Sequence, residues 1–301
     1  MVTPPLALPR DTGFVEIADR VWVARHAWFD VNVTVVAGER GLLVVDTLAS
    51  EDAGRGLVET LRRQIAGPRS LDVVTVVNTH EHFDHWFGNA AVRAAYPDVE
   101  LVAHDEATSR MLASAADFKE KFEALPDEPR RDEVIASTLV PAETTFSSVH
   151  TVDLGDRVVE VVHPGKGHTS GDVVLRVEDA DVLLAGDLVE ESADRNGVPG
   201  FGDDCHPMAW PLSLDLVISL LGPDTVVVPG HGNPVDREFV DEQRNAIGAV
   251  AETIRDLAGR GVPESQALEA AEWPYPREEL AAAVRRGYAA LPRVARQLPL
   301  V

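Results

Sequence analysis

Four short, β-branched stretches of this chain lead into side chains that a buried strand has no packing reason to carry. Residues 41–46 end on Asp46, 73–78 lead into His80, 181–185 into Asp187, and 225–229 into His231. Burying such groups costs free energy unless each has a partner. In α/β sheets, ligands gather at the carboxyl ends of strands. A chain that puts Asp, His, Asp and His at four such ends is expected to bring them together.

The remaining pattern supports layered α/β architecture. Further strand-like runs lie at 20–25, 31–37, 100–103, 157–163 and 173–177. Residues 51–66 place Leu57, Val58, Leu61 and Ile65 at helical spacing behind Ser50, a plausible N-cap. Residues 85–95, 105–125 and 211–221 also read as helices. Hairpins dominate the first third, and later strands alternate with helices. Beyond about residue 238 the pattern turns helical, at 238–260, 265–272 and 278–291, with Pro263, Pro274, Pro276 and Pro292 between. The expected organisation is a catalytic unit over 1–238 with a helical carboxyl-terminal extension over 239–301 packed on it.

Composition excludes some partners. A net charge of −23 repels phosphate backbones, so nucleic acid is not expected. The single cysteine, Cys205, permits no internal disulfide, fits a reducing compartment and reads as structural. The first residues lack a basic start followed by an apolar stretch, and no run of about 18 apolar residues exists. The expectation is a cytoplasmic protein with no membrane partner and a small-molecule substrate; its oligomeric state stays open.

The densest stretch is "VVNTHEHFDHWFGN", residues 76–89. In extended chain, His80 and His82 point to the same side and Glu81 points away. Asp84 and His85 follow where a helix begins. Imidazole nitrogens with a carboxylate suit Zn²⁺, and a site this crowded can hold two ions. "HPGKGHTSGD" adds His168 between glycines, "DVLLAGDLV" adds Asp187, and "VVVPGHGNP" adds His231. Singly, Asp84 could be a helix cap and Asp187 a turn residue. Jointly, they point to a metal centre.

In order, Asp46, "THEHFDH", "GHTSGD", "AGD" and "PGHG" resemble the metallo-β-lactamase fold superfamily, across roughly residues 14–237. The resemblance implies an αββα four-layer sandwich and two Zn²⁺ ions, with iron or manganese as alternatives. His80, His82 and His168 would hold the first ion. Asp84, His85 and His231 would hold the second, Asp187 would bridge them, and Asp46 would support the ligands from behind. It also implies a metal-bound hydroxide as nucleophile, with Asp84 orienting it and handling its proton. Cysteine is usual in true metallo-β-lactamases where this chain has Asp187. Only 44 positions separate Asp187 from His231, too few for the insertion of nucleic-acid-processing members. The resemblance is therefore to the glyoxalase II and lactonase branch, and implies cleavage of an ester, thioester or lactone. β-Lactam hydrolysis and an iron-dependent sulfur dioxygenase are the alternatives.

The substrate side is expected to involve Trp28 and Phe29 on a hairpin loop, Trp86 after His85, and a lid over 190–210 that includes His206. Glu190, three positions after Asp187, is expected to face the second metal and repel anionic groups, unless it turns to solvent or pairs with Arg195. His26, His104, His150 and His163 carry no motif and read as structural.

Overall fold

A computed structural model describes residues 7–191 and 196–292. Arg195, with the rest of 192–195 in the expected lid, lies outside the described residues, as do 1–6 of the amino-terminal stretch.

Two sheets pack face to face. The first has seven strands in chain order: β1 (Val15–Ala18), β2 (Val21–Arg25), β3 (Asn32–Gly38), β4 (Gly41–Val45), β5 (Val73–Val77), β6 (Glu100–His104) and β7 (Thr144–Phe146). β1 to β4 run antiparallel, and β4 to β7 are parallel. The second holds β8 (Val149–Asp153), β9 (Val158–Val162), β10 (Val174–Val177), β11 (Val182–Glu190) and β12 (Val226–His231). Here β8 to β11 are antiparallel and β12 pairs parallel to β11.

The period-2 alternation of each strand divides its side chains between two cores. Val33, Val35, Leu42 and Val44 face helices Glu51–Leu61, Asn89–Ala95 and Asp105–Glu123 through Leu57, Val92 and Met111. Val36, Leu43 and Val45 turn the other way and meet Leu175, Val177 and Leu184 of the second sheet. On the far side, Leu183, Ala185 and Val227 pack against helices Trp210–Ser219, Arg237–Gly259 and Ala281–Ala290 through Leu214, Ile247 and Val284. Helix, sheet, sheet and helix form the expected αββα sandwich, and both faces of each sheet are covered. That coverage is why these strands read as near-continuous apolar runs.

Three details differ from the sequence reading. The helix expected over 85–95 is two helices, Phe83–Trp86 and Asn89–Ala95. The chain turns between them at Gly88, where a Cβ would lie 1.9 Å from the Thr47 carbonyl oxygen. β11 continues to Glu190, with register shifts against β12 on either side of Gly186, so Asp187 sits within a strand and not at its end. β1, β7 and β8 are short and partly exposed, and had no apolar pattern to mark them. No helix among the described residues is long and apolar enough to cross a membrane.

Candidate metal centre

The centre starts from β4 and β5. Asp46 follows β4 with φ of 65°, a left-handed conformation that costs a non-glycine residue energy and persists only where its surroundings over-determine it. They do so here. Its Oδ1 accepts the Thr79 backbone N–H at 2.8 Å, and its Oδ2 accepts the Thr79 hydroxyl at 2.9 Å and His85 Nδ1–H at 2.8 Å. The Thr79 hydroxyl, its proton committed to Asp46, accepts His80 Nδ1–H at 3.0 Å. Asn78 donates to the His85 carbonyl and closes the turn.

His168 is presented by a loop folded around Asp172. That carboxylate accepts the Thr169 and Gly167 backbone N–H groups and the Thr169 hydroxyl, and burial raises it to about 7. His231 ends β12, and its Nδ1–H donates to the Phe29 carbonyl at 2.7 Å.

Two donor groups result: His80, His82, His168 and Asp187, and Asp84, His85 and His231. Within each group the ligand atoms lie within 4.8 Å of one another. Asp187 touches both. Its Oδ2 lies 3.4 Å from His168 Nε2, 3.7 Å from His80 Nε2 and 3.1 Å from His231 Nε2, and its Oδ1 lies 3.4 Å from His85 Nε2. Asp84 Oδ2 stands 3.7 Å from His85 Nε2 and 3.6 Å from His231 Nε2. Glu81 points away and pairs with Arg110 at 2.9 Å.

The tautomers are dictated from outside. His82 Nε2 is held by Asp204 at 2.9 Å and His168 Nδ1 by the Gly200 carbonyl at 2.8 Å. The acceptors Thr79, Asp204, Gly200, Asp46 and Phe29 thus each take one ring N–H, and a neutral imidazole then has only a lone pair left on its inner nitrogen. Those lone pairs face each other: His82 Nδ1 and His168 Nε2 are 2.8 Å apart, and His85 Nε2 and His231 Nε2 are 3.3 Å apart. Facing lone pairs repel unless a proton or a metal cation lies between them.

Two buried atoms at the middle, His80 Nε2 and Asp187 Oδ1, make no hydrogen bond among the described residues. Such atoms are rare in folded proteins, and a metal satisfies both. Burial opposes a positive charge on His231, yet Asp187 and Asp84 outweigh it and raise this histidine to about 9, so these carboxylates favour a cation beside them, whether a proton or a metal ion. Burial lowers His80 well below the ordinary range, and the neighbouring His85 lowers it further, so it stays neutral and available as a donor. Imidazole and carboxylate donors in this number fit Zn²⁺.

Comparison with known proteins agrees with this geometry. The family model of the metallo-beta-lactamase superfamily matches residues 26–231. The chain belongs to the metallo-beta-lactamase superfamily. It is 25% identical over 239 residues to a metallo-beta-lactamase type 2 from Bacillus cereus, covering 76% of this chain and 81% of that one. Among solved structures, the sec-alkylsulfatase Pisa1 from Pseudomonas sp. superposes with a TM-score of 0.71 at 18% identity, covering 92% of this chain and 49% of that one. This chain thus spans about half the length of that structure. A metallo-beta-lactamase from Pontibacter korlensis has a TM-score of 0.59 at 21% identity, covering 78% of this chain and 98% of that one. At such identities the structures establish the shared fold. As a superfamily member the chain is a hydrolase with a site suited to two metal ions.

A cavity of about 1380 Å³ opens over the donors and is lined by His82, Asp84, His168 and Asp187. One wall is aromatic. Phe83 packs on Phe118 at 4.6 Å and edge-on to Phe29 at 5.3 Å, and Phe118 reaches the His82 ring at 5.7 Å. Phe29, on the hairpin loop, is 37% exposed with φ of 62° and is among the residues lining the cavity.

Other expected contacts move. Trp86 is fully buried in the helical layer, its indole N–H donating to the Glu81 carbonyl, and cannot touch a substrate. Glu190 is also fully buried; it accepts the Gly200 N–H at 2.7 Å and lies 3.9 Å from His168 Nδ1. It therefore lies behind the first donor group and braces a loop, and repels no substrate directly. His206 turns to the Ser170 hydroxyl at 2.8 Å and is not among the described cavity residues. Trp28 packs against the first-sheet core under the Arg130 guanidinium, 3.8 Å from the ring centre. Asp204 and Gly200, which hold two histidines, were not foreseen; they lie in an aperiodic Gly/Asp loop, and Asp204 is 122 positions from His82.

Proposed function

We propose that this superfamily member is a zinc-dependent hydrolase holding two Zn²⁺ ions, and that it cleaves the ester, thioester or lactone bond of a small molecule. His80, His82 and His168 would hold one ion and Asp84, His85 and His231 the other, with Asp187 shared. The observation that carries this reading is the two pairs of inner imidazole nitrogens that converge on either side of Asp187. When bound, two zinc ions make water acidic enough to ionise near neutral pH and polarise a carbonyl oxygen.

The side chains supply the rest. Asp84 stands where the donors meet the cavity and is 7% exposed. Its carboxylate is placed to orient water and to carry a proton towards the leaving group. Asp187, held by histidines of both groups, keeps them at fixed separation. The aromatic wall excludes water from the reacting face and accepts the apolar part of a substrate. Aspartate at 187, where true metallo-β-lactamases usually carry cysteine, favours the lactonase-like reading over β-lactam cleavage.

A substrate panel tests this. Zinc-loaded protein should turn over at least one of a lactone, thioester or carboxylic ester series faster than any penicillin, cephalosporin or phosphodiester. Efficient β-lactam cleavage with no activity on the carbonyl panel contradicts it. Iron in protein made without added metal, together with oxygen uptake on a thiol substrate, contradicts the hydrolytic reading altogether.

A further inference from the structure

We infer that the carboxyl-terminal helix Ala281–Ala290 is a positioning element for the first donor group, acting through Arg286 on Asp204; the inference rests on the two-zinc reading above.

The outer nitrogens of His82 and His168 both rest on one loop, residues 198–205, through Asp204 and Gly200. Val198, Phe201 and Cys205 of the loop are buried in the second-sheet core, and among the described residues its own backbone bonds are Gly200 N–H to Glu190, Gly202 N–H to the Gly200 carbonyl, and Cys205 N–H to the Gly202 carbonyl. The carboxyl-terminal segment supplies more. Arg286 donates from Nε to the Cys205 carbonyl at 2.9 Å and from Nη2 to the Asp204 carbonyl at 3.4 Å. Arg285 pairs with Asp203, and the Tyr275 ring packs on Phe201 at 5.9 Å. Arg286 thus holds the backbone of the residue whose carboxylate fixes His82.

The helix itself is seated firmly. Leu280, Ala283 and Val284 are buried in the second-sheet core. A Cβ on Gly287 would come within 2.8 Å of Ile254 and 3.3 Å of the Met208 sulfur, so glycine sets its close approach.

The other histidines are held elsewhere. His80 and His85 rest on Thr79 and Asp46, and His231 rests on the Phe29 carbonyl. Asp46 serves a histidine of each group, but only the first group also rests on 198–205. Loss of a buttress that acts only through 198–205 therefore weakens one ion and spares the other. Losing a residue that orients a metal ligand lowers metal affinity about 10- to 100-fold.

Stepwise zinc removal by a competing chelator tests this on the full chain, with thermal melting of the metal-free protein alongside. Asp204→Asn marks which of the two ions belongs to the first group. Arg286→Met should weaken that same ion about tenfold, leave the other within about twofold, and leave the melting temperature nearly unchanged. Arg286→Lys should recover part of the loss, because an ammonium can still donate to the Cys205 carbonyl. The double variant should be little weaker than Asp204→Asn alone, since both act through one residue. Wild-type affinity for both ions in Arg286→Met overturns the inference. So does equal weakening of both ions with a lowered melting temperature, or full additivity in the double variant. Wild-type protein that binds no zinc overturns the two-zinc reading itself, and shows this before any variant is compared.

Discussion

Asp46 and His85 are joined by a 2.8 Å hydrogen bond from Nδ1–H to Oδ2, and through Thr79 the same carboxylate orients His80. One buried side chain thus supports a histidine of each donor group. An amide has one acceptor oxygen where the carboxylate has two, and asparagine tolerates the left-handed backbone that Asp46 occupies. Asp46→Asn should keep the fold and weaken both ions, each by about 10- to 100-fold. Chelator titration reads this directly, and a variant that loses affinity at only one group contradicts a shared support.

Asp84→Asn should also keep the fold, while turnover falls at least about a hundredfold, the lower end of a general acid–base contribution. The amide cannot take up a proton. The measurement is turnover at matched zinc content on whichever carbonyl substrate the panel identifies. Near-normal turnover with two ions bound removes Asp84 from the mechanism.

Gly230 allows β12 to pass close to Asp187. A Cβ there would lie 1.8 Å from Asp187 Oδ1 and 3.0 Å from the Gly186 carbonyl carbon. Gly230→Ala should displace the shared carboxylate, at about 1–3 kcal/mol of overpacking, and zinc content should fall below two per chain. Unchanged circular dichroism with reduced metal content is the expected outcome. Full zinc occupancy and normal turnover would show that Asp187 can move without consequence.

Cys205 tests the buried side of the same loop. The thiol has no exposed surface, and burial, reinforced by Asp204, pushes it up to about 12. Thiol reagents attack the thiolate, whose share falls as the pKa rises, so native protein at pH 8 should show no reactive thiol. Denatured protein should show one. Rapid labelling of the native chain contradicts this placement and the loop geometry around Asp204.

Much of this centre was legible because strand chemistry and ligand chemistry leave separate marks. Apolar runs marked β2 to β6 and β9 to β12 but not β1, β7 or β8, and a polar residue at the end of such a run has few other uses; Asp46, His80 and His231 stood out for that reason. Asp187 was found for a partly mistaken reason, since β11 runs past it to Glu190. Trp86 and Glu190 were misplaced because neighbours of a ligand in sequence need not face its cavity; both point into the core. The supports at Asp204 and Gly200 left no pattern. They act from an irregular loop, through one carboxylate and one backbone carbonyl, and Arg286 acts on backbone carbonyls from far along the chain. Contacts of that kind depend on tertiary packing, and periodicity carries no trace of them.

Metal content bears most directly on the central claim, that two donor groups share Asp187. Wild-type protein dialysed against zinc and then buffer should retain two ions per chain by elemental analysis, and Asp187→Ala should lose occupancy at both groups while still folding. One ion or none in the wild type, or an Asp187→Ala variant that still holds two ions as tightly as the wild type, would contradict the account.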